Sequence, residues 1–107
     1  MATTRTHHST GAAAIASTLA PGTAWQLESI RVHLSAAGGA GDLTATINSG
    51  TGATYDAVVL TQDMTSVVNL VWSPERPMEF LPDDELDIAW ANVGTKTYGL
   101  EIIFKGI

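Results

Sequence analysis

The last quarter of the chain, Glu85 to Lys105, constrains the fold most. Leu86, Ile88 and Trp90 alternate with Glu85, Asp87 and Ala89. After a polar break, Tyr98, Leu100, Ile102 and Phe104 alternate with Gly99, Glu101, Ile103 and Lys105. Successive strand side chains point to opposite faces, so each run has one dry and one wet side. The pattern predicts a C-terminal β-hairpin laid over a core. Its outward face is less polar than a free surface needs. Ala89, Ala91, Glu101 and Ile103 therefore stand as a candidate subunit contact.

The remaining segments repeat the theme. Ala12–Ala20 reads as a strand stopped by Pro21–Gly22. Trp25–Ser35 is a long strand whose buried phase passes from Trp25 and Leu27 to Ile30, Val32 and Leu34. A one-residue slip exchanges the faces, which predicts a β-bulge near Glu28–Ser29. Glycine-rich turns bracket Leu43–Asn48, and Tyr55–Thr61 and Val67–Ser73 are further strands. Pro74 and Pro77 confine the next piece to an edge, anchored by Met78 and Phe80. Eight short strands with regular turn signals, and no convincing amphipathic helix, predict a single all-β domain. The expected architecture is an eight-stranded antiparallel β-sandwich of jelly-roll type over residues 12–107. Residues 1–11, polar and threonine-rich, read as an extended N-terminal arm.

The 107 residues suit one domain with one core. There is no cysteine, so thiolate metal sites and disulfides are excluded. The net charge is −6, and six of the 11 acidic residues fall between Glu75 and Asp87. Such a surface repels nucleic acid and anionic membranes, so neither is an expected partner. No cofactor or metal is expected. Asp83, Asp84, Glu85 and Asp87 lack the spacing of a helix-loop-helix calcium site and read as a solvated turn. His7 and His8 point in opposite directions on an extended chain, and His33 lies elsewhere beside Arg31. Carboxylate pairs such as Glu28 with Glu101, or Asp56 with Asp63, sit in no catalytic motif. Neither a nucleophile elbow nor a phosphate-binding glycine loop is present. Trp25, Trp72 and Trp90 fit core or interface positions better than a sugar-stacking platform.

Four runs carry a resemblance: Trp25–Ser35, Asp42–Ile47, Asp83–Trp90 and Tyr98–Phe104. Together they resemble small virion proteins of tailed bacteriophages, and most of all the jelly-roll decoration (cement) proteins of phage heads. The resemblance covers residues 24–105. It implies a non-enzymatic protein on the outer surface of the capsid, a homo-oligomer (trimer or dimer), with the major capsid protein as partner. By that analogy the arm residues Thr3, Thr4, Arg5, Thr6, His7 and His8 would contact the capsid. Two other functions compete: a tail or baseplate component, and a carbohydrate-binding module of a host-recognition structure.

Overall fold

The computed structural model describes residues 3–107, with side chains from Thr4 onward. It contains nine strands and, among the described residues, no α-helix. They are β1 (Thr3–Gly11), β2 (Ile15–Leu19), β3 (Trp25–Leu34), β4 (Asp42–Asn48), β5 (Ala57–Asp63), β6 (Asn69–Trp72), β7 (Met78–Phe80), β8 (Glu85–Trp90) and β9 (Tyr98–Gly106). Two antiparallel sheets enclose one core. Sheet A runs β1-β9-β3-β6, with β7 pairing β3 beyond β6; sheet B runs β2-β8-β4-β5.

The dry faces meet between the sheets. Trp25, Leu27, Ile30, Val32, Leu34, Leu100, Ile102 and Phe104 come from sheet A, and Ile15, Leu43, Ala45, Ile47, Leu86, Ile88 and Trp90 from sheet B. Trp25 lies against Phe80 and Phe104, with ring centroids 4.7 and 6.1 Å away. The phase slip in β3 is a bulge. Leu27 pairs with Phe104 and Ser29 with Ile103, leaving Glu28 as the extra residue. A second irregularity separates Ala45 from Thr46 opposite β5.

Two expectations change. Residues 3–11 are extended, but they are not a free arm: β1 pairs with β9 along its whole length, from Thr3↔Gly106 to Gly11↔Tyr98. That strand is the ninth, and the sandwich therefore starts with β1 and not at residue 12. Threonine and histidine hid it, because an edge strand with one shallow face needs no run of large apolar residues. Met1 and Ala2 lie outside the described residues.

The second change concerns the C-terminal hairpin. β8 pairs with β2 and β4, whereas β9 pairs with β1 and β3. The two strands face each other across the core instead of lying side by side. The connection of residues 91–97 arches from one sheet to the other. Buried Asn92 (φ 53°) holds it. Its amide nitrogen donates to the carbonyls of Ala13 (2.7 Å) and Lys96 (2.8 Å), and its side-chain oxygen accepts from the Lys96 amide at 3.0 Å.

Asp84 plays a similar part at the other end. It is 8% exposed, and its carboxylate accepts the Gly50 and Leu81 amides at 3.1 and 2.9 Å. Its backbone carbonyl accepts Trp25 Nε1 at 3.2 Å. Gly50 is required here, because a Cβ would collide with Asp83.

Candidate interaction face

The structure divides the predicted contact residues. Ala89 is exposed on the outside of sheet B, and Ala91 just beyond the end of β8 is also exposed. Glu101 and Ile103 are half-buried on the outside of sheet A. The four cannot form one patch, because their strands belong to opposite sheets.

Glu101 and Ile103 instead meet residues assigned to the arm. Register places Thr6 beside Ile103 and His8 beside Glu101 on β1, with Ser29 and Arg31 beside them on β3. Successive rows across the outer face of sheet A are thus Thr10–Gly99–His33–Asn69, His8–Glu101–Arg31–Val71 and Thr6–Ile103–Ser29. Thr4, Lys105, Gln26 and Glu79 make a fourth. Arg5, His7 and Ser9 take the opposite phase on the unbulged β1 strand, toward sheet B. His7 Nε2 lies 3.0 Å from Ser17 Oγ on β2 and closes the gap between the sheets. The Thr3 side chain lies outside the described ones.

The face is polar and cross-linked. Arg31 donates to Glu101, His8 Nε2 is 4.0 Å from the same carboxylate oxygen, and Lys105 pairs with Glu28 at 3.3 Å. His33 Nδ1 bonds Asn69 Oδ1. Gly99 leaves a gap in this lattice, since a Cβ there would meet nothing within 4 Å. The result is a depression of about 340 Å³ lined by His8, Thr10, His33, Gly99 and Glu101 among others. Val71, 71% exposed, lies beyond Arg31 on β6 and lines a separate, smaller depression with Arg31, His33 and Asn69. Such a surface offers hydrogen-bond donors and acceptors of both charges, with a shallow socket for one protruding side chain.

No protein-family model matches this chain, and no curated protein matches it.

The other candidates have structural partners. Glu28 and Glu101 are each tied to a separate cation. Asp56 accepts the Ser49 amide at 2.8 Å. Asp63 accepts the amide and hydroxyl of Thr65 at 3.0 and 2.7 Å, and these bonds hold its carboxyl below the ordinary 3.8. Within the acidic run, Asp84 is buried on backbone amides and Asp87 accepts the Thr18 hydroxyl at 2.7 Å. Among the described residues, no three His, Asp or Glu groups converge.

The tryptophans all belong to the core side. Trp25 is fully buried, Trp90 is 2% exposed, and Trp72 is half-buried against the core opposite Ile30. Trp25 is the most buried of the three. No outward pair remains for sugar stacking among the described residues.

The outside of sheet B differs in chemistry. Thr18, Asp87, Thr46 and Val58 form one row, and Ala16, Ala89, Thr44 and Thr61 the next. Its charges are acidic: Asp42, Asp63, Glu85 and Asp87. Both cations assigned to a sheet exterior, Arg31 and Lys105, lie on sheet A. The two faces are therefore not interchangeable as contact surfaces.

Proposed function

We propose that this chain is a structural virion protein that binds the outside of a tailed-phage head and ties neighbouring capsid subunits together. The strand order carries the reading. Setting aside the three-residue β7, eight strands interleave as β1-β9-β3-β6 over β2-β8-β4-β5. With β7 set aside, we read two antiparallel sheets wired in this order as a jelly roll, the fold that the likeness to head decoration proteins implies. Its filled core leaves recognition to outer faces and edges.

The capsid-facing surface in this proposal is the outside of sheet A. Thr4, Thr6 and His8 supply it from β1, and Glu101 and Ile103 from β9. Arg5 and His7 drop out of the contact set because they point toward sheet B. Binding that requires a site formed by two assembled subunits stabilises the assembled lattice by mass action. The major capsid protein is the partner, and the virion exterior is the location. The carbohydrate-module alternative loses its platform with the inward tryptophans.

Co-sedimentation with heads assembled without this protein tests the reading. Wild-type protein should saturate the heads in fixed proportion to the major capsid protein. Glu101→Gln, which removes the charge but keeps an acceptor for Arg31, should weaken binding by roughly tenfold, about 1.4 kcal/mol, while leaving the thermal melt nearly unchanged. Failure of wild-type protein to bind any head preparation would end the proposal.

A further inference from the structure

The sandwich has four strand edges, and three are guarded. β2 is only five residues long. β6 and β7 are four and three residues, separated by a segment holding Pro74 and Pro77. β5 faces a register irregularity and has Asp63 at its end. Short length, proline, bulges and charge are the usual protections against edge pairing. β1 has none of them over its central span. It is nine residues long, unbulged against β9, free of proline and lysine, and carries the single charge of Arg5. Among the described residues it has one neighbour in its sheet, β9, and its other backbone edge is unpaired.

The geometry points to a second copy of this chain as the occupant of that edge. In an antiparallel pair about a two-fold axis normal to the sheet, outward residues must meet outward residues. The position numbers of opposed residues therefore sum to an even value. One such register, centred on His7, pairs all nine positions, from Thr3 against Gly11 of the second copy onward. It sets Thr4 opposite Thr10 and Thr6 opposite His8 on the outer face, and Arg5 opposite Ser9 on the inner. Threonine pairs of this kind favour strand pairing, Arg5 meets an uncharged serine, and the one like pair is His7 with its own copy on the axis. Shifting the register by one step to sum to 12 brings Arg5 against His7 and shortens the pairing. The strand is thus close to complementary to itself, as an isologous dimer requires. Sheet A of one copy would continue into sheet A of the other.

The chain has no cysteine, which permits a direct test. In the His7-centred register the two copies of residue 7 lie opposite one another, about 4.5–5.5 Å between Cα atoms. That spacing suits a disulfide. The two copies of residue 6 lie about 8 Å apart, too far to bridge. Under mild oxidation, His7→Cys should convert to covalent dimer and Thr6→Cys should not. Sedimentation velocity on wild-type protein should show twice the 11.2 kDa chain mass at high concentration. The double variant T4K/T10K sets lysine against lysine twice and should weaken the dimer by roughly tenfold or more. T4E/T10K sets opposite charges in the same places and should restore it. A wild-type chain that stays monomeric into the millimolar range overturns the inference. So does equal cross-linking at positions 6 and 7, or a dimer indifferent to T4K/T10K. None of these measurements involves a phage head, so the dimer and the capsid reading stand or fall separately.

Discussion

Trp25 and Trp90 are chemically alike and buried alike, yet they should respond differently to substitution. Trp25 Nε1 donates to the Asp84 carbonyl, whereas Trp90 Nε1 is buried without a hydrogen-bond partner among the described residues. Replacing a paired donor leaves its acceptor stranded, while replacing an unpaired one removes a cost. Trp25→Phe should therefore destabilise by about 1–3 kcal/mol more than Trp90→Phe in urea unfolding. Asn92→Ala strips two backbone carbonyls and one amide of their partners, and should cost about 2–4 kcal/mol by the same measurement. Asp63 offers a pH test. Its carboxyl is held below the ordinary value by Thr65, so any stability it adds is present above the unfolded value of 3.8. That contribution is lost as the pH falls through the folded value. Thr65→Val should move the Asp63 titration, followed by NMR, upward toward the ordinary value.

At the scale of elements, alternation revealed which side of each strand is dry but not which strand lies beside it. The β3 bulge was legible because a change of buried phase between Leu27 and Ile30 has a local cause. The position of β8 against β9 was not, because side-by-side pairing and facing across a core demand the same alternation. The candidate face was half legible for the same reason. Glu101 and Ile103 belong to the outward phase in sequence, but their neighbours Thr6 and His8 are almost a hundred residues away. β1 was legible as an extended segment but not as a member of the sheet, since strands are usually found by their apolar members and it has none. Its structural role makes a prediction opposite to that for a free arm. Deleting residues 3–10 should strip the edge of sheet A and lower the melting temperature sharply, where removal of a loose tail would leave it unchanged. Differential scanning calorimetry distinguishes the two.

Over the whole molecule, charge and wiring are both asymmetric. Acidic groups line the outside of sheet B, while Arg31 and Lys105 sit on sheet A. The proposed contact through sheet A should therefore weaken with salt less steeply than contact through a face of one charge sign, because its ion pairs are already satisfied internally. Wiring matters for how the protein is made. Strand β9 lies between β1 and β3, so the ninth described strand is the one that joins β1 to the rest of sheet A. A nascent chain stopped before Tyr98 has no means to complete that sheet, whatever its earlier segments attempt. Sheet A can close only once β9 has been made, however much of the rest of the chain precedes it. Loss of β9 is accordingly a defect of closure more than a shortened edge: the chain would lose the piece that joins its first strand to the rest of the sheet.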